Sequence, residues 1–77
     1  MSPSPKERLI AAVRAHQSGQ LDIAEAAYRD VLSTDPDQPD ATHYLGVLAY
    51  QQEELDTART LVGRARELGF ATEDLIM

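Results

Sequence analysis

The chain has no cysteine and no tryptophan, and only four glycines and four prolines among 77 residues. Without cysteine there is no disulfide framework and no thiolate metal site, and the redox compartment is left unstated. Basic residues are scarce as well: seven Lys and Arg stand against thirteen Asp and Glu, for a formal charge of −6. Nucleic-acid and anionic-membrane surfaces need clustered cations, so that balance argues against both as partners. Apolar runs are only a few residues long, too short to span a bilayer, and Met1-Ser2-Pro3-Ser4-Pro5 lacks the apolar stretch of a secretion signal. What remains is 43% hydrophobic and 26% charged, the composition of a soluble globular chain rather than a disordered one. The expectation is a single small acidic domain in the cytoplasm.

Sliding the chain against itself by 34 positions aligns Val13 with Val47, Ala15 with Ala49, Gln17 with Gln51, Leu21 with Leu55, Asp22 with Asp56 and Ala24 with Ala58. Six identities in twelve positions divide the chain into two copies, 5–38 and 39–72, with 73–77 opening an incomplete third.

Each copy reads as two helices. Ser4-Pro5-Lys6-Glu7 is a capping-box start with proline at the first helical position. Leu9, Ile10, Ala12, Val13 and Ala15 follow at helical spacing, and Gly19 supplies the left-handed stop. A second helix, about 21–34, carries Leu21, Ala24, Ala27, Tyr28, Val31 and Leu32, and Asp35-Pro36 breaks it. The third, about 39–52, carries Tyr44, Leu45, Val47, Leu48 and Tyr50. The fourth, about 55–68, carries Leu55, Ala58, Leu61, Val62, Ala65 and Leu68, with Gly69 as cap and Phe70 as its apolar contact. No segment alternates as a strand does. The fold class is all-α, built of antiparallel helix pairs with short turns.

Gly19 through Leu32 followed by Asp35-Pro36, and then His43-Tyr44-Leu45-Gly46-Val47-Leu48-Ala49-Tyr50, resemble the second and first helices of tetratricopeptide repeats. The repeats look similar to N-terminal repeats of bacterial proteins of that family. Ala24 and Ala58 match the family's small close-contact residue, Tyr28 its aromatic and Pro36 its terminal proline. Arg8 and Thr42 depart at the tryptophan position, Ala11-Ala12 at the Leu-Gly pair, Glu53 at the turn glycine and Phe70 at the second terminal proline. The resemblance implies a short right-handed α-solenoid without catalysis or cofactor, serving as a scaffold or adaptor for a protein or peptide partner. Gly46 in mid-helix costs about 1 kcal/mol against alanine, which close approach of the paired helix, with Ala58 facing it, is expected to offset. Gly63 has no such match.

The hydroxyls Ser18, Ser33, Thr34, Thr42, Thr57, Thr60 and Thr72 are expected in turns, caps or exposed faces, with no nucleophile motif around them. His16 and His43, on neighbouring helices, could approach one another with Asp40 or Glu7, but two histidines without a motif are a weak metal signal. As the family resemblance implies, the first helices of successive repeats line a concave face. That face would carry Leu9, Ile10, Val13, His16 and Gln17 from one copy, and His43, Tyr44, Val47, Tyr50 and Gln51 from the other. Rings, amides and aliphatics of this kind suit an extended peptide or a partner helix. Leu9, Val13, Tyr44 and Val47 could equally be internal core. Because Leu9, Val13 and Tyr44 stand where chaperone-tail binders of the family carry lysine and asparagine, a carboxylate clamp is not expected. The competing reading is a homodimer, self-associating through Leu61, Leu68, Phe70, Leu75 and Ile76, with Met77 at the end of the same apolar tail.

Overall fold

The computed structural model describes residues 4–70. They form four helices: α1 (Pro5–Gln17), α2 (Leu21–Thr34), α3 (Pro39–Gln51) and α4 (Leu55–Glu67). There is no strand among the described residues. The expected third first-type helix at 73–77 lies outside them.

The boundaries follow from local chemistry. Ser4 Oγ accepts the Glu7 backbone N–H at 3.2 Å, opening α1 over Pro5 at its first position. α2 stops at Asp35, which proline at 36 holds in an extended conformation (φ −135°). After that turn Gln38 caps α3 with its side-chain oxygen, 2.8 Å from the Ala41 N–H, an N-cap that the sequence pattern had not singled out.

α1, α3 and α4 end alike. In each, the second residue after the cap bonds back five residues: Gln20 to Ala15, Glu54 to Ala49 and Phe70 to Ala65, all at 2.9 Å. The motif needs a left-handed residue just before, and Gly19 (φ 82°) and Gly69 (φ 101°) provide it. The third such position is Glu53, at φ 64°. A side chain there costs about 1–2 kcal/mol, part of which glycine recovers against its own greater chain entropy. Glu53→Gly is therefore expected to stabilise the protein by about 0.5–1 kcal/mol. Thermal melts should show a higher midpoint for Glu53→Gly and no gain for Glu53→Ala, which keeps the Cβ.

Packing runs along the chain. α1 lies on α2, α3 lies on both of them, and α4 packs on α3 without touching α1 or α2. The core cluster is Ala12, Ala24 and Tyr28 from the first helix pair with Leu45 and Leu48 from α3. Tyr28 is its largest side chain and is fully buried. Arg8, at the tryptophan position, ties the two ends of the first pair together. Its guanidinium donates to Asp30 Oδ2 at 2.8 Å and Thr34 Oγ1 at 3.3 Å, while its buried Nε has no partner.

Two expectations need correction. Thr42 is buried rather than at a turn or on an exposed face, and its hydroxyl donates to the Gln38 carbonyl one turn back, at 2.9 Å. Gly46 faces Leu61 and Val62 rather than Ala58. A Cβ added to it would lie 2.9 Å from Val62 Cγ2 and 3.2 Å from the Val62 backbone nitrogen. Gly63, by contrast, looks into open space.

Candidate functional site: the face of the first helices

Helical spacing puts Val13, His16 and Gln17 on one side of α1, and Val47, Tyr50 and Gln51 on one side of α3. The two helices meet through a three-residue chain of hydrogen bonds. His16 Nε2 bonds Gln51 Oε1, and His16 Nδ1 lies 2.9 Å from the Tyr28 hydroxyl. A carboxamide oxygen can only accept, so Nε2–H donates to Gln51, and in the neutral imidazole that leaves Nδ1 to accept from the Tyr28 hydroxyl. The phenol stays protonated as this requires: burial, then the neighbouring Tyr44, pushes its pKa up to about 12. The chain links α2 through α1 to α3.

Leu9, Val13 and Tyr44 are half-buried and pack against the core. Tyr44 stacks on Tyr28 with ring centroids 6.2 Å apart. Val47 is half-buried, while Gln17 and Gln51 are exposed. Ile10 is 45% exposed and lines the outer edge of the first pair with Ile23. Tyr50 is 67% exposed. Among the sequence-derived face residues it is a full aromatic ring turned to solvent.

His16 and His43 serve different partners. His43 stacks on Phe70 at 3.9 Å and meets Tyr44 edge-on at 5.5 Å. Burial lowers its pKa, against the opposing pull of Asp40. Among the described residues no three His, Cys, Asp or Glu side chains gather to hold a metal. Of the residues assigned to self-association, Leu61 is half-buried, packs on the core and backs onto Gly46. Leu68 is half-buried and Phe70 lies on His43. Leu75 and Ile76, like Met77, lie outside the described residues.

Helix pairs in a 34-residue period, stacked so that each pair covers the one before, describe one repeat architecture. The family model described as tetratricopeptide repeat matches residues 15–73. The chain belongs to the tetratricopeptide-repeat family. No curated protein matches closely enough to add a relative. Tetratricopeptide repeats generally mediate protein–protein interaction and are typically non-catalytic. No helix among the described residues is long and apolar enough to cross a membrane. Within a tetratricopeptide frame, the departures at Arg8 and Thr42 become intelligible. Both replace a tryptophan with a side chain that finds its own hydrogen bonds across a helix pair or within a turn.

Sequence reasoning did not name Ile23, which is 58% exposed, and placed Leu55 on the apolar stripe of the fourth helix, where it is 54% exposed. Both stand near the start of a second helix, and the 34-residue alignment that pairs Leu21 with Leu55 was the available signal.

Proposed function

We propose that the chain is a non-catalytic interaction module that binds a peptide or partner helix across the α1–α3 face. The observation that carries this reading is Tyr50, exposed at 67% on a face shared with Val47, Gln17 and Gln51. A large ring with little rotamer entropy to lose is the kind of residue on which interfaces concentrate their energy. The exposed amides of Gln51, which follows it on α3, and of Gln17 on α1 offer donors and acceptors for a partner's backbone. His16 is held by Tyr28 and Gln51 rather than standing as a free contact.

The test is selection of peptides from a displayed library on the immobilised 77-residue chain, followed by affinity measurement on variants. Tyr50→Ala should keep its melting midpoint, because the ring is outside the core, and lose about thirtyfold in affinity, as expected for an anchor. Tyr44→Ala should lower the midpoint instead, because its ring packs on Tyr28. Selected peptides that bind Tyr50→Ala as well as the parent chain would refute the reading.

A further inference from the structure

The outer stripe of α1 is charged where the equivalent stripe of α3 is buried. α3 enters the core with Tyr44, Leu45 and Leu48, one turn after the fully buried Ala41. The same positions in α1, 34 residues earlier, are Glu7, Ile10, Ala11 and Arg14. A helix pair stacked on α1 as the first pair is stacked on α3 would put Glu7 where Ala41 is and Arg14 where Leu48 is. Both of those sites are buried, and a desolvated charge is costly there without a partner. Packing that simply continues the repeat is therefore not what this stripe is made for.

Nor is it an ordinary solvated surface. Ile10 and Ile23 are both exposed. With Glu7, Ala11 and Arg14 they border a shallow depression of about 590 Å³ between α1 and the start of α2. Among the described residues, Arg8, Arg29 and Arg64 each hold a carboxylate, while Glu7 and Arg14 are in no ion pair.

We infer that this stripe is the contact surface for a second copy of the chain, α1 against α1, antiparallel about a two-fold axis. The spacing dictates the register. Centred between Ile10 and Ala11, such a pair sets Glu7 opposite the other copy's Arg14, and Arg14 opposite the other copy's Glu7. Ile10 then meets the other copy's Ala11, a large side chain over a small one. Symmetry repeats each of these contacts, with Ile23 of α2 widening the apolar strip on either side. A two-fold interface must be complementary to itself, and this stripe is so in both charge and size. A parallel pairing would set Glu7 against Glu7 and Arg14 against Arg14. Each copy carries a net charge of −6, so association needs local complementarity of this kind to proceed.

One helix per copy and a flanking isoleucine make a small contact, below roughly 1,200 Å², where association is weak. Tyr50 is not among the residues that border the depression. The dimer therefore leaves that ring clear in both copies.

Sedimentation of the full 77-residue chain, from micromolar to millimolar concentration, should show a monomer–dimer equilibrium that stops at two copies. Glu7→Arg and Arg14→Glu should each weaken it about tenfold, since two attractive pairs become two repulsive ones. The double variant should return to within about threefold of the parent chain. An equimolar mixture of the two single variants should associate more tightly than either alone, because only the mixed pair sets arginine against glutamate at both ends. A substitution that merely loosened α1 would not be rescued by mixing. Tyr50→Ala should leave the dimer unchanged. A monomer at millimolar concentration, growth beyond two copies, or single variants that associate as the parent does would overturn this assignment. So would a mixture that stays monomeric. Dissociation by Leu68→Glu, with Glu7→Arg without effect, would overturn it as well and move the contact to α4.

Discussion

Ala24→Leu is expected to cost about 3 kcal/mol and lower the melting midpoint by some 10–20 °C, roughly the shift such a loss produces in a domain of this size. Ala24 has no exposed surface and sits in the core cluster with Tyr28 and Leu48. Three added carbons have no space there except by moving α3. The equivalent Ala58→Leu should cost less, about 1–2 kcal/mol: Ala58 is buried too, at 4% exposure, but it borders an open groove between α3 and α4 into which part of an isobutyl group can lean. The two alanines hold the same place in the sequence repeat, so the difference measures what α3 does for the first pair. Equal melting shifts would mean that α3 closes over Ala24 no more tightly than α3 and α4 close over Ala58.

The second large effect is a contrast between two glycines. Gly46→Ala should destabilise by about 1–2 kcal/mol, although alanine is worth about 1 kcal/mol more than glycine in a helix interior. The reason is contact. The new Cβ meets Val62 Cγ2 at 2.9 Å, Leu61 Cβ at 3.1 Å and the Val62 backbone nitrogen at 3.2 Å, none of them the far end of a flexible chain. Gly63→Ala makes no such contact and should stabilise by about 0.5–1 kcal/mol, the helix-propensity gain alone. Equilibrium denaturation of the two variants side by side checks both signs. A stabilised Gly46→Ala would mean that α3 and α4 are not in van der Waals contact there.

Much of this architecture was legible in the sequence because helices advertise themselves through period and punctuation. Ser4-Pro5, Gly19, Asp35-Pro36 and Gly69 each mark a boundary found within a residue of where they imply it. The apolar stripe of α2 reads directly as Ala24, Tyr28 and Val31 buried. Positions that depend on the neighbouring helix were not legible in the same way. Thr42 reads as a polar surface residue, yet its hydroxyl is satisfied one turn back and the side chain is buried. Gly46 was correctly read as a close approach, but which residues approach it depends on the rotation of α4, which periodicity leaves free by about one position. The pairing of His16 with Tyr28 and Gln51 rather than with His43 has the same origin. It joins three helices, and spacing within one helix carries no information about the other two.

On the α1–α3 face, the sequence could name candidates but not rank their exposure. Leu9, Val13, Tyr44 and Tyr50 were all candidates for the face, and only packing separates the three that lean on the core from the ring that stands clear. Amide chemical-shift mapping of a library-selected peptide on the isotopically labelled chain decides whether that ring marks the binding surface. The account predicts shifts at Val13, Gln17, Val47, Tyr50 and Gln51, on the adjoining faces of α1 and α3. Shifts confined to α2 and the outer face of α4, with Tyr50 and Gln17 unmoved, would contradict it.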